Sequence, residues 1–168
     1  MPGMRIRAGI PADFAAIWAI NAEGQPGVSP FTSGELATLL EIPARVWVAV
    51  DDAAHARVVG YCVTYRSGDD YDGEEYAWFR QRHPAFLYID QIAVAGTHRR
   101  AGIGAQLYAA VEQAARDWDL PALTCEVNRA PLNPASLAFH RRGGFSEVGS
   151  LDTRDGRTVA LLVKTLTA

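Results

Sequence analysis

The stretch RRAGIG at residues 99–104 decides the fold, because it stands between a predicted strand and a predicted helix. Glycine has no Cβ, so a turn built on Gly102 and Gly104 can expose successive backbone N–H groups. The helix behind the turn adds the positive end of its dipole. This arrangement suits phosphate, and Arg99 and Arg100 add charge. A P-loop lysine and hydroxyl are absent, and a glycine-rich helix start without a ligand remains the alternative.

The sequence on either side of this turn predicts a mixed α/β fold. YIDQIAV at residues 88–94 reads as a strand, and an apolar stripe from Gly102 onward reads as a helix of about four turns. Apolar spacing at Phe14, Ile17, Trp18 and Ala22 predicts an earlier helix. Residues 67–84, both acidic and aromatic, predict a packed loop or a short helix. The predicted order is β-α-α-β-β-β-α-β-α-β-β.

Length and composition predict one domain covering residues 1–168, with an ordinary globular content of 49% hydrophobic and 21% charged residues. A net charge of −3 offers no basic field for nucleic acid. Apolar runs are too short to cross a membrane, and the start lacks a secretory signal, which predicts a cytoplasmic protein. Cys62 and Cys125 lie in apolar stretches of sequence and do not have the spacing of metal ligands, so neither a disulfide nor a metal site is expected.

A second segment makes the interpretation of the glycine turn more specific. NPASLAFHRRGGF at residues 133–145 reads as a helix capped by Asn133 and ended by glycine. Together with R-x-x-G-x-G and the strand before it, this segment resembles the GNAT (GCN5-related N-acetyltransferase) superfamily, and in detail a bacterial subgroup of predicted acetyltransferases. The resemblance covers nearly the whole chain. It implies a mostly antiparallel seven-strand sheet flanked by helices, and acetyl-CoA as the acetyl donor with no metal.

The resemblance also implies roles for individual residues. The strand backbone would pair with the pantetheine arm of acetyl-CoA, the turn would hold its pyrophosphate, and the later helix would contact the CoA arm. These cofactor-binding residues are Ile92, Ala93, Val94, Arg99, Arg100, Ala101, Gly102, Ile103, Gly104, Asn133, Ser136 and His140. His140 stands where the family more often has the tyrosine that protonates the departing thiolate. Imidazole can donate a proton, although a histidine satisfied within its helix is the alternative.

Direct acetyl transfer benefits from a base, because an amine with a pKa near 10.4 is mostly protonated at neutral pH. Asp90 is the predicted base: it is a carboxylate inside an apolar strand, two residues before the predicted thioester-binding segment. A purely structural Asp90 that bonds loop amides is the alternative, with Glu126 in reserve. Cys125 is interpreted as a small buried hydrophobe rather than an acetyl acceptor.

The aromatic segment supplies the predicted acceptor site. Tyr71, Tyr76, Trp78 and Tyr88 are the predicted substrate contacts, and nearby acidic residues would attract a cationic amine. The predicted function is acetyl-CoA-dependent N-acetyl transfer to a small amine in a ternary complex. A non-catalytic acyl-CoA-binding regulatory module and a nucleotide-binding module are the alternatives. The resemblance also implies that the protein can form a homodimer.

Overall fold

The computed structural model describes residues 3–130 and 132–167. The strands are β1 Met4–Ala8, β2 Val46–Asp51, β3 Arg57–Arg66, β4 Leu87–Val94, β5 Ala122–Ala130, β6 Ser146–Asp152 and β7 Thr158–Thr165. The α-helices are α1 Phe14–Gly24, α2 Ser33–Glu41, α3 Glu74–Arg80, α4 Ile103–Asp117 and α5 Pro134–Arg142. Short 3₁₀ turns lie at Pro11–Asp13, Asp52–Ala54 and Gly96–His98.

The strands form one seven-stranded sheet in the order β1-β2-β3-β4-β5-β7-β6. The pairs β1–β2, β2–β3, β5–β7 and β6–β7 are antiparallel, and β4–β5 is parallel. The predicted fold class is confirmed. The predicted order lacks one element, α3, which is the short-helix alternative for residues 67–84; its seven residues are too few to show a helical apolar period in the sequence.

The chain divides into two compact units, and the expectation of a single domain stays a prediction. The first unit comprises Met1–Thr64 and Gln91–Val111. Its fully buried side chains include Ile17, Leu36 and Tyr61, each 0% exposed. The Thr32 side chain caps the start of helix α2, since it accepts a hydrogen bond from the Glu35 N–H at 3.1 Å.

The second unit comprises Tyr65–Asp90 and Glu112–Ala168. It holds α3, α5 and the antiparallel strands β5, β7 and β6, and its fully buried side chains include Tyr76, Phe79 and Leu161. The β6–β7 hairpin turns at Gly156, where φ is +86°. Glycine suits this position of the Asp155-Gly156 turn, since it adopts a left-handed φ without a steric penalty.

The apolar stripe predicted for α1 is wrong in part. Ile17 is buried, but the buried face continues through Ile20 and Asn21, and Trp18 is 40% exposed. Asn21 decides this orientation, because its Nδ2 donates to the Tyr61 hydroxyl at 3.0 Å and to Gln91 Oε1 at 3.3 Å. A buried amide needs such partners, and a pattern of apolar residues does not reveal them.

Candidate active site

The predicted phosphate-binding turn lies in the first unit, directly before α4. Its backbone is left-handed at two positions, with φ +64° at Arg100 and φ +78° at Gly102. The Gln106 N–H donates to the Gly102 carbonyl at 3.1 Å. Since the first four N–H groups of an α-helix have no acceptor within it, the N–H groups ahead of Gln106 are available to an anion.

Space at this turn fits a diphosphate. A Cβ built on Gly102 would meet no heavy atom within 4 Å, so the space beside this position is open. Ile103, next along the chain, is 2% exposed and anchors the helix start in the apolar core. Arg99 and Arg100 are exposed, and Arg99 Nε donates to the Val94 carbonyl at 3.4 Å. The residues present therefore fit the anionic end of acetyl-CoA.

Two side chains fix the segment that leads into the turn. Glu23 Oε1 accepts from the Gly96 N–H at 2.6 Å, and His98 Nε2 lies 2.9 Å from Asp51 Oδ2. The carboxylate of Asp51 is thereby stabilised, and its pKa is lowered by the contact with His98. The turn is held from α1 and from the end of β2, which preorganises its backbone donors.

Strand β4 changes character along its length. Leu87 and Tyr88 pair with Leu123 and Thr124 of β5, and the described register ends there, although β4 continues to Val94. Residues 87–89 are buried, whereas residues 90–94 are half-buried. In the first unit, the predicted thioester-binding residues Ile92, Ala93 and Val94 therefore retain exposed surface.

The second unit contains a cluster of buried acids and tyrosines around Asp90. The Tyr71 hydroxyl donates to Asp90 Oδ1 at 3.2 Å. The Tyr88 hydroxyl lies 2.9 and 2.8 Å from the two carboxylate oxygens of Glu126. Asp90 and Tyr88 point to the same side of β4, because side chains alternate along a strand.

Burial is the main cause of the shifted pKa values in this cluster. Burial raises the pKa of Asp90 to about 6, while hydrogen bonds from Tyr71 and Tyr88 oppose the shift. Burial also raises the pKa of Glu126 well above its ordinary value, and Glu75 and Asp90 add to that effect by repulsion. Paired carboxyl groups with separated pKa values are typical of acid–base sites.

An ion pair closes the cluster, and sequence reasoning missed it. Arg157 Nη2 donates to Glu75 Oε1 at 3.3 Å, and Arg157 Nη1 donates to Asn128 Oδ1 at 3.2 Å. Glu75 is 8% exposed, although the sequence suggested only an acidic loop that attracts cations. An arginine in a hairpin is usually exposed to solvent. The one signal in the sequence is that Arg157 directly follows the Asp155-Gly156 turn.

The aromatic segment mostly packs within its own unit. Tyr76 is 0% exposed, and its hydroxyl donates to the Arg66 and Asp69 carbonyls at 2.5 and 2.9 Å. Trp78 lies against Gly149 of β6, where a Cβ would stand 2.6 Å from Trp78 Cζ2. Tyr88 is 1% exposed. Substrate contact by these three side chains stays a prediction that their packing does not favour.

Tyr71 differs from the other aromatic residues of this segment. Its ring stacks on Tyr65 with 3.9 Å between ring centroids, it is half-buried, and its hydroxyl reaches Asp90. Burial, with repulsion from Asp90, raises the pKa of this hydroxyl far above its ordinary value, so it keeps its proton. Of the four predicted substrate contacts, Tyr71 combines a half-buried ring with a hydroxyl that donates to the predicted base.

Helix α5 begins at the predicted cap. Asn133 Oδ1 accepts from the Ser136 N–H at 3.2 Å. His140 is 4% exposed, and its Nδ1 lies 2.7 Å from the Ser136 carbonyl. That contact favours a proton on Nδ1, and burial lowers the pKa of the ring, so Nε2 carries no proton at neutral pH. The proton-donor role of His140 stays a prediction that this geometry does not favour.

The described part of the chain shows neither a cluster of metal-binding side chains nor a membrane-spanning helix. Residues 3–130 and 132–167 contain no group of three or more His, Cys, Asp or Glu that could hold a metal ion. None of their helices combines the length and apolar character needed to span a bilayer. The side chains of Cys62 and Cys125 are buried.

The seven-stranded, mostly antiparallel sheet and its helices match the fold of the GNAT acyltransferases. The chain belongs to the acetyltransferase (GNAT) family, whose family model matches residues 14–145. It is accordingly an acetyltransferase that uses acetyl-CoA as donor. No curated protein sequence matches the chain significantly.

Solved structures share the fold at low sequence identity. Ard1 from Thermoplasma volcanium is 18% identical with a TM-score of 0.78, and the alignment covers 99% of each chain. Ribosomal-protein-alanine N-acetyltransferase from Brucella melitensis is 26% identical with a TM-score of 0.72, covering 96% of this chain and 99% of that one. NAA60 from Arabidopsis thaliana, solved with acetyl-CoA, is 18% identical with a TM-score of 0.75, covering 97% and 99%.

Proposed function

We propose that the chain transfers the acetyl group of acetyl-CoA directly to the amine of a small acceptor, with Asp90 as the proton acceptor. One observation carries the proposal: the half-buried Asp90 accepts a hydrogen bond from Tyr71 at 3.2 Å, and burial raises its pKa to about 6. A carboxylate with that pKa is ionised at neutral pH, yet it is more basic than an ordinary aspartate.

The chemistry requires such a group. An alkylamine arrives as an ammonium ion, and its nitrogen can attack only after losing a proton. In this proposal Asp90 receives the proton directly or through one water, while the Tyr71 hydroxyl holds the carboxylate in one orientation. Ile92 follows two residues later on the same strand, so the base stands close in sequence to the segment proposed to bind the thioester.

The glycine turn has the binding role in this proposal. The N–H groups of Gly102, Ile103 and Gly104, with the exposed Arg99 and Arg100, would hold the diphosphate. Acetyl-CoA supplies an acetyl group activated as a thioester. The backbone of Ile92, Ala93 and Val94 would bind its pantetheine arm. Ala101, Asn133, Ser136 and His140 complete the proposed contacts with the donor.

The acceptor belongs to the proposal rather than to the family assignment. Acidic residues precede and begin α3, and the ionised Asp90 adds negative charge, which together favour a cationic amine. A protein amine is the other acceptor class, because the similar Brucella melitensis protein is a ribosomal-protein-alanine N-acetyltransferase. A homodimer is part of the proposal, and sedimentation of the purified chain measures it.

An acceptor screen that reads release of free thiol from acetyl-CoA tests the proposal. The panel should contain small amines and peptides, and Asp90→Asn should lose most turnover at pH 7 while its affinity for CoA stays within about twofold. CoA binding without thiol release for any acceptor would instead favour a regulatory acyl-CoA-binding module. Tight ATP binding without CoA binding would favour a nucleotide-binding module and refute both.

A further inference from the structure

A partly buried ion pair in the second unit is not used by the proposed reaction. Arg157 joins Glu75 at 3.3 Å, and the two side chains are 33% and 11% exposed. Burying charges is costly, and a pair of this kind is often no more stabilising than apolar residues of similar size. Both charges act on the proposed base Asp90, so a role other than stability is open to the pair.

Three contacts fix where Arg157 places its positive charge. Its Nε donates to Asp155 Oδ1 and Oδ2 at 3.1 and 3.0 Å, which anchors the side chain to its own hairpin. Its Nη1 donates to Asn128 Oδ1 at 3.2 Å, and its Nη2 reaches Glu75 on α3. Asn128 and Glu126 lie two residues apart on β5, so they point to the same face of the sheet. The guanidinium therefore lies on the face that carries Glu126.

Several groups act on the charge of Asp90 from the elements around it. Tyr71 donates to it from the loop before α3, and Tyr65 on β3 stacks on that tyrosine. The other groups are Glu75 on α3, Tyr88 on β4, Glu126 on β5 and Arg157 before β7. Among these described groups, Arg157 alone carries a positive charge.

The two members of the ion pair act on Asp90 in opposite directions. After burial, which is the largest cause, repulsion from Glu75 raises the pKa of Asp90 and attraction to Arg157 lowers it. Arg157 also lowers the pKa of Glu126, which Glu75 raises. An opposed pair of fixed charges can thus hold a neighbouring carboxylate at an intermediate proton affinity.

We propose that Arg157 and Glu75 are positioning residues that act through Asp90, with the arginine keeping its carboxylate ionised and the glutamate keeping it basic. This inference rests on the proposed role of Asp90 as proton acceptor. Loss of Arg157 leaves the acids without a counter-charge, so Asp90 takes up a proton at higher pH. Loss of Glu75 removes a repelling charge, so Asp90 ionises at lower pH.

Two matched variants separate this role from a structural one. Arg157→Gln and Glu75→Gln break the same ion pair, so a structural pair would give losses of the same kind. As charges acting on Asp90, they have opposite signs. We expect the acid limb of the kcat/KM profile to move up by about one pH unit in Arg157→Gln and down by a similar amount in Glu75→Gln. Arg157→Lys keeps the charge and should leave the limb within about 0.3 units of the wild type.

The acceptor amine ionises identically in every assay, so differences between the profiles belong to the enzyme. Limbs that do not move, or that move in the same direction in both glutamine variants, would overturn the inference. If Arg157→Gln does not fold, the comparison of Glu75→Gln with Arg157→Lys still tests the inference. An acid limb that moves to lower pH in Glu75→Gln but not in Arg157→Lys supports it, and acid limbs at the same pH in both variants contradict it.

A second readout distinguishes failure of the inference from failure of the proposed function. The carboxyl ¹³C resonance of Asp90, assigned by its absence in Asp90→Asn, reports the titration of this group without any turnover. Opposite shifts of this titration in the two glutamine variants support the inference. If the resonance shifts but the rate profile does not follow, Asp90 is not the base, and the proposed function fails. An unmoved resonance in an enzyme that still needs Asp90 overturns only the inference.

Discussion

Replacing Asp90 with asparagine should make the protein more stable at neutral pH while it removes activity. Asparagine has the same shape and can still accept the Tyr71 hydrogen bond, but it carries no charge. The pKa of Asp90 is raised in the folded protein, so the folded state binds this proton more tightly than the unfolded chain. Its contribution to stability is complete below pH 4 and is lost as the pH rises through about 6.

The size of this stability change follows from the shift in the pKa of Asp90. A rise from 3.8 to about 6 corresponds to about two pH units. At about 1.4 kcal/mol per unit, the upper limit is about 3 kcal/mol of stability that the wild type loses between pH 4 and pH 7. Because Asp90 is half-buried and water screens part of the effect, we expect about 1 to 3 kcal/mol.

Urea unfolding at pH 4 and at pH 7.5 measures this quantity. The stability of Asp90→Asn minus that of the wild type should increase by about 1 to 3 kcal/mol between the two pH values. Asp70→Asn serves as the control for removing an acidic side chain, because Asp70 is an exposed carboxylate of the same unit. A difference for Asp90→Asn that is equal at both pH values would show that its surroundings do not disfavour the charge.

Three further changes test other parts of the structure. Gly102→Glu should abolish CoA binding in calorimetry, because its carboxylate would occupy the open space at the turn. Gly102→Ala should retain CoA binding, and its positive φ should lower the free energy of unfolding by about 1 kcal/mol. Equal CoA affinities of the two variants would contradict this expectation. Gly149→Ala should cost about 1 to 3 kcal/mol, because its Cβ would stand 2.6 Å from Trp78, and Trp78→Ala in the same chain should remove most of that added cost. Asp13→Asn should cost about 2 kcal/mol at pH 7. Burial opposes ionisation of Asp13, but bonds from Arg7 and Ile10 prevail and lower its pKa, so this cost should fade as the pH drops below about 4; a cost independent of pH would refute it.

The sequence was informative where a local rule applies. Asn133 caps its helix as predicted, because a side-chain oxygen three residues before a free N–H needs no distant partner. The Gly102 turn before α4 was predictable for the same reason, since glycine is needed at a positive φ. These rules recovered the fold class and most of the element order.

The surroundings of the proposed base could not be predicted in the same way. Glu75 and Arg157 are separated by 82 residues in sequence, so their ion pair depends on the packing of α3 against the β5–β7 part of the sheet. The same limit applies to Asn21, whose partners Tyr61 and Gln91 lie 40 and 70 residues away. Patterns of one residue type along a chain do not report which polar groups meet after folding.

A crystal structure of the chain with CoA tests the central claim most directly. We expect the diphosphate to accept hydrogen bonds from the backbone N–H groups of Gly102, Ile103 and Gly104, with the pantetheine arm along Ile92 to Val94. A diphosphate bound elsewhere, with those N–H groups facing solvent or filled by the protein's own side chains, would contradict the account.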